Sequence, residues 1–284
     1  MTDDVNTDAC FYVVATPIGN LGDMVPRAVE ILQTVALIAA EDTRHSKRLM
    51  QHFNIETPMV AYHDHSDNKQ VDGLISKLQS GKSVALISDA GTPLISDPGY
   101  RLVDAVLTAG IKVVPIPGAS AAIAALSAAG LPSDRFIFEG FLSAKQQGRT
   151  KQLQALAGES RTLIFYEAPH RLLACLQDMA EVFGDDRIVV LARELTKTFE
   201  TIKRAAVGDL AAWVEQDNNQ QKGECVLLVK GAQKTSDMDT DAARVLTILM
   251  ADLPLKQAAT LAAKITGLKK NQLYQYGLDQ QNES

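Results

Sequence analysis

The sequence predicts an α/β protein with two consecutive α/β domains and a small helical tail. Short apolar strand-like runs alternate with helical periodicity through the first 117 residues. A second series of strands follows an alanine-rich helix. Polar residues 232–239 then separate a last segment whose apolar residues recur only at helical spacing. The expected boundaries are 10–117, 118–232 and 239–284.

In the first part, residues 11–15 read as an apolar strand, and residues 27–35 as a helix with Ala28, Ile31, Leu32 and Val35 on one face. Strands follow at 37–40, 59–62, 84–87 and 111–115, with helices at 46–53, 71–79 and 100–108. That βαβ order predicts a largely parallel sheet covered on both faces. Residues 119–129 form the alanine-rich helix. Strands are expected at 136–139, 162–166, 188–192, 198–204 and 225–230, the latter ones with fewer intervening helices, so the second sheet should be mixed. The tail reads as helices at 242–250, 255–265 and 270–278 with Gly267 in a tight turn, a helix-turn-helix-like pattern.

Composition excludes several classes. No apolar run approaches the roughly 20 residues that span a bilayer, and the acidic start argues against a signal peptide. Cys10, Cys175 and Cys225 have neither disulfide nor zinc-ribbon spacing, which fits a reducing cytoplasm. A net charge of −6 disfavours general nucleic-acid coating. The tail departs from that balance, with Lys256, Lys264, Lys269 and Lys270 and no acid between residues 253 and 278.

The chemistry-bearing motifs fall at strand ends. Ser88-Asp89-Ala90-Gly91-Thr92-Pro93-Leu94-Ile95-Ser96-Asp97-Pro98-Gly99 joins an apolar strand to a helix, where open α/β sheets bind ligands. Residues 15–23 follow the first strand, with Pro17, Gly19 and Gly22 but no Gly-x-Gly-x-x-Gly, so a standard NAD site is not expected. Glu41-Asp42-Thr43-Arg44-His45 offers carboxylates to orient a hydroxyl, or a helix cap with Arg44 paired to it. His63-Asp64-His65-Ser66-Asp67 has metal-like spacing, but no third ligand cluster accompanies it; no metal is expected and a polar loop near the cleft is the preferred reading. Glu167 to Arg171 and Arg193 to Lys197 mix carboxylates and cations at two further strand ends.

Together, and in this order along the chain, these motifs resemble the tetrapyrrole methylase superfamily of S-adenosylmethionine-dependent methyltransferases. Within it they are most similar to the branch that methylates the ribose 2′-hydroxyl of a cytidine in the decoding region of 16S ribosomal RNA. Corrin-modifying members carry Gly-Asp-Pro where this chain has Ser88-Asp89-Ala90, and they lack the helical tail. The resemblance implies a bilobal fold, a homodimer, S-adenosylmethionine in the cleft between the lobes, and 16S rRNA within the small ribosomal subunit as partner. It implies cofactor contacts at Pro17, Asp89, Gly91, Thr92, Pro93, Ser120, Ala121 and Ala168. Catalytic candidates are Glu41, Asp42, Glu167 and Lys197, and substrate candidates are Arg44, His63, His65, Arg171 and Arg193. Lys145, Arg149 and Lys151 could follow the RNA backbone. The alternatives are methylation of a tetrapyrrole or other small molecule, a metal-dependent hydrolase and a non-catalytic RNA-binding protein.

Overall fold

A computed structural model describes residues 9–63, 68–232 and 240–283. Residues up to Gly231 form one compact unit, and residues from Ala232 onward form another. The first unit holds two five-stranded sheets.

The first sheet contains β1 (Cys10–Val14), β2 (Leu37–Ala40), β3 (Met59–Ala61), β4 (Val84–Ile87) and β5 (Lys112–Ile116), in the order β3-β2-β4-β1-β5. Every pairing is parallel, as the alternating pattern predicts. All four residues of both β2 and β4 are buried, because helices cover both faces and leave no room for a polar alternation. Those helices are α1 (Pro26–Thr34), α2 (Thr43–His52), α3 (Asn68–Gln79) and α4 (Tyr100–Thr108). On α1 the buried Ala28 and Leu32 lie one turn apart, and burying a leucine side chain contributes about 1.5–3 kcal/mol.

Parallel strands send all their carboxyl ends to one edge. The loops after β1, β2, β4 and β5 therefore gather there.

The second sheet contains β6 (Phe136–Phe141), β7 (Thr162–Glu167), β8 (Ile188–Arg193), β9 (Thr201–Ala206) and β10 (Cys225–Val229), in the order β6-β7-β10-β8-β9. It is mixed, as expected: β6 and β7 run parallel, and the other pairs are antiparallel. The alanine-rich α5 (Ala121–Ala128) covers one face, its small side chains packed among Ile164, Val190, Val226 and Leu228.

Three helices cover the opposite face: α6 (Gln146–Leu156), α7 (Leu172–Phe183) and α8 (Val207–Gln216). No helix separates β8 from β9, so the connections carry fewer helices than those of the first sheet, as expected. The central strands β7, β8 and β10 are apolar on both faces, so both sides of the sheet need covering. Residues 198–200 lie outside β9, within the loop that precedes it.

The second unit has α9 (Thr240–Asp252), α10 (Leu255–Thr266) and α11 (Lys270–Glu283). Its own core includes Leu246, Ala258, Ala259, Ala262 and Leu273. Gly267 ends α10 with a left-handed φ of 74°, a conformation that costs glycine little. Of the expected linker, residues 233–239 lie outside the described residues. No helix among the described residues is long and apolar enough to cross a membrane.

Candidate active site

A cavity of about 380 Å³ opens between the two sheets of the first unit. One wall is built by the ends of β2 and β4. The Asp89 N–H donates to Glu41 Oε2 at 3.3 Å, and the Asp42 N–H donates to Asp89 Oδ1 at 3.2 Å. These reciprocal bonds lock the two neighbouring strand ends together.

The loop after β4 is pinned at several points. Thr16 and Gly91 exchange backbone hydrogen bonds of 2.8 and 3.0 Å, and the Thr92 hydroxyl donates to the Ala119 carbonyl at 3.0 Å. Leu94 and Ser96 hold left-handed φ values of 74° and 68°, each costing about 1–2 kcal/mol. Strain of that kind persists only where the surrounding structure fixes it, and it concentrates at functional sites. Within this loop Asp97 is half-buried. Burial pushes its carboxyl up to about 6; a hydrogen bond with Ser88 opposes the shift, while the charges of Glu41 and Asp89 add to it.

The opposite wall comes from α5 and the second sheet. Tyr166 Oη accepts the Ala122 N–H at 3.2 Å, and burial raises the phenol's pKa, so it stays protonated at neutral pH. Glu167 is buried at the end of β7. Its Oε1 accepts from the Ala168 N–H at 2.7 Å and forms an ion pair with Arg171 at 2.6 Å. Its Oε2 is buried without a hydrogen-bond partner. The Glu167 side chain is only 1% exposed and lies beside the buried Cys175 thiol, so protein groups surround that oxygen. Cys225 also lines the wall, and burial pushes its thiol up to about 12, which rules it out as a thiolate.

The cavity lining is largely apolar but its charged groups are all acidic, with Glu167 and Glu224 ion-paired to Arg171 and Lys197. It carries the carboxylates of Glu41, Asp89, Asp97, Glu167 and Glu224 and, among the described residues, no lysine or arginine. Such a site favours a cation and repels phosphate.

The sequence candidates separate into distinct positions. Glu41, Asp89, Gly91, Thr92, Ser120, Ala121, Glu167 and Ala168 all line the cavity. Pro17 and the buried Pro93 instead shape the loops behind it. Asp42 caps α2, accepting the Arg44 N–H at 2.8 Å and pairing with its guanidinium at 2.9 Å; these bonds hold its carboxyl at about 2. It is a cap, not a base. Lys197 bridges Glu194 and Glu224 at 2.8 Å each. Burial alone would lower its pKa, but these hydrogen bonds outweigh it and raise it, so Lys197 acts as a fixed cation rather than a proton acceptor.

Arg193 is corrected most clearly. It is buried, donating to the carbonyls of Lys222 and Phe199 and to the Thr201 hydroxyl, and so it ties strand ends together instead of meeting phosphate. Arg149 is likewise buried, 2.5 Å from Asp178. Arg171 is held by Glu167. His63 is exposed just past β3, outside the cavity lining, and His65 lies outside the described residues. Among the described residues no cluster of three potential metal ligands occurs.

Residues 10–211 match the family model of Tetrapyrrole (Corrin/Porphyrin) Methylases, and residues 236–281 match the RsmI C-terminal HTH domain. The chain is 61% identical to Ribosomal RNA small subunit methyltransferase I of Pseudomonas aeruginosa, over 96% of this chain and 98% of that one. The chain belongs to the ribosomal RNA small subunit methyltransferase I family. It is also 58% identical to the protein of that name from Escherichia coli O157:H7, over 97% of both chains. Among solved structures it resembles diphthine synthase, with a TM-score of 0.60 at 14% identity over 78% of this chain and 90% of that one. A cobalt precorrin-4 methyltransferase gives 0.57 at 16% identity, over 81% and 98%. At those identities the likeness concerns the fold alone.

Some cavity residues of this methyltransferase I family member carried no local sequence signal. Glu224 and Cys225 reach the cavity through antiparallel pairing of β10 with β7 and β8, a long-range register that no short motif announces. Asp97 is legible within the loop motif, but its half-buried setting beside Glu41 and Asp89 is not.

Proposed function

We propose that this chain is an S-adenosylmethionine-dependent methyltransferase acting on the ribose 2′-hydroxyl of a cytidine in the decoding region of 16S rRNA, within the small ribosomal subunit. The observation that carries the cofactor assignment is the acidic cavity. Its volume falls in the range of roughly 300–1,000 Å³ typical of small-molecule sites, and its carboxylates suit a ligand bearing a sulfonium and an ammonium group. When bound, S-adenosylmethionine supplies an electrophilic methyl group.

The protein's own residues have three tasks. The strand-end pair Glu41 and Asp89, fixed by their reciprocal backbone bonds, holds negative charge at one wall without rearrangement. Glu41 and Asp97 are the carboxylates placed to orient the ribose hydroxyl and accept its proton. Asp97, with its pKa near 6, has a basicity better suited to that task at neutral pH than an ordinary carboxylate. Arg44 exposes 90% of its side chain, and a surface ion pair with Asp42 is worth little, so a phosphate can compete for it. The acidic lining keeps RNA phosphates out of the cavity, which requires the target nucleotide to enter with its base and sugar turned inward.

The identity of the relatives supports the rRNA substrate. Methyl transfer to small ribosomal subunits lacking the modification tests it, with the product mapped by resistance of one ribose linkage to alkaline cleavage. A single protected cytidine in the decoding region is the expected result. Methyl incorporation on a base, or none into subunits, would overturn the assignment.

A further inference from the structure

The ring of Phe141 stands 53% exposed at the cavity although it lies in a strand of the second sheet. A break in the strand's register puts it there. Phe138 pairs with Ile164 while Gly140 pairs with Phe165, so Glu139 is an extra residue and β6 carries a bulge. Side chains two apart normally share a face. With one residue inserted, Phe138 and Phe141 share a face instead, and both meet Tyr166 edge-on at ring separations of 4.9 and 5.6 Å. Bulges next to active sites commonly re-aim a side chain in this way.

The bulge depends on Gly140, whose φ is 65° and whose added Cβ would lie 3.1 Å from Ser96 Oγ. That contact seats the strained loop after β4 against β6. Ile95, adjacent to Ser96, also lines the cavity and is 39% exposed. An aromatic face from β6 and a branched aliphatic side chain from the loop after β4 thus stand exposed at the cavity, whereas its other large aliphatic lining residues, Ile18, Leu195 and Val226, are buried. Exposing a large apolar side chain beside its own core is unfavourable, so the pair calls for an apolar, flat partner.

We propose that Phe141 and Ile95 clasp the unstacked base of the target nucleotide, with Phe141 supplying the stacking face. This rests on the RNA-methyltransferase reading of the cavity and adds to it a positioning residue for the substrate. Stacking replaces part of what the base loses when it leaves its own stack, and the carboxylates are left to the cofactor and the ribose.

The test compares Phe141→Ala, Phe141→Tyr and Ile95→Ala with the wild type. S-adenosylmethionine affinity is read by calorimetry, and KM and kcat for small ribosomal subunits by methyl transfer. Phe141→Ala is expected to keep cofactor affinity within about two-fold and to raise KM for subunits roughly 10-fold or more, from the usual worth of base stacking. Phe141→Tyr should restore KM to near wild type, and Ile95→Ala should have a smaller effect in the same direction. An unchanged KM in a folded Phe141→Ala protein would overturn the proposal. So would a loss of cofactor affinity matching the loss of activity, because the ring would then pack against the cofactor. If wild-type protein binds S-adenosylmethionine yet methylates no subunits, the rRNA reading itself fails and the clasp falls with it.

Discussion

Asp97 places a charge where burial and two neighbouring carboxylates disfavour it. Its pKa of about 6 in the folded protein exceeds the ordinary 3.8 of the unfolded chain. The folded state therefore holds a proton more tightly. The stability this contributes is fully present below pH 3.8 and is lost as pH rises through 6. At pH 7.5 the ionised group opposes folding. Asp97→Asn is thus predicted to raise the Tm at pH 7.5 by on the order of 2–4 °C, a gain that disappears near pH 4. The same reasoning applies to function, with opposite sign. A cationic ligand prefers the ionised carboxylate, so affinity for S-adenosylmethionine should weaken in the wild type as pH falls from 7.5 to 5. In Asp97→Asn it should be weaker at pH 7.5 and nearly flat across that range. Melting curves and titrations at three pH values check both statements.

At the scale of elements, the loop between β4 and α4 carries the site, and Gly99 closes it. Its φ of 133° is disfavoured for other residues, and an added Cβ would lie 2.8 Å from the buried Leu86 side chain. Gly99→Ala is predicted to lower the Tm by roughly 3–6 °C and to weaken S-adenosylmethionine binding, because Asp97 and the strained Leu94 move with the loop. A variant that melts early but binds normally would separate the loop from the site.

Elements were legible in sequence where period and burial agree. The central strands β2 and β4 of the first sheet announce themselves as continuous apolar runs because they are buried on both faces. The helices of the second half differ in how plainly the sequence announces them. In α7 and α8 the buried residues do recur at helical spacing, as Leu172, Cys175, Leu176 and Met179 and as Val207, Leu210, Ala211 and Val214. In α6 a buried position is filled by Arg149, whose charge is matched by Asp178 from α7, so the apolar period is broken in the sequence and repaired only in the fold. The site follows the same rule. Strand-end motifs located Glu41, Asp89 and Glu167, but pairing partners distant in sequence decide that Arg193 and Lys197 are consumed by protein contacts.

The whole chain divides its charge as it divides its structure. It is acidic overall, at −6, while residues 253–278 carry four lysines and no acid. The acidic cavity belongs to the first unit, and the second unit has a core of its own. We propose that the tail supplies nonspecific affinity for RNA phosphates, a salt-sensitive contribution. Truncation after Ala232 is then predicted to leave S-adenosylmethionine affinity within about two-fold while raising KM for subunits and flattening its salt dependence. Equal KM and salt slope in the truncated and full-length proteins would assign the tail another role.

The central claim is that the acidic cavity between the two sheets holds S-adenosylmethionine. Calorimetric titration of S-adenosylmethionine into wild type and Asp89→Ala, at pH 7.5 and with folding checked by thermal melting, tests it most directly. Saturable one-to-one binding in the wild type, abolished or weakened at least about 10-fold in a folded variant, is the predicted result. Equal affinity in the two proteins, or no binding to the wild type even with small ribosomal subunits present, would contradict it.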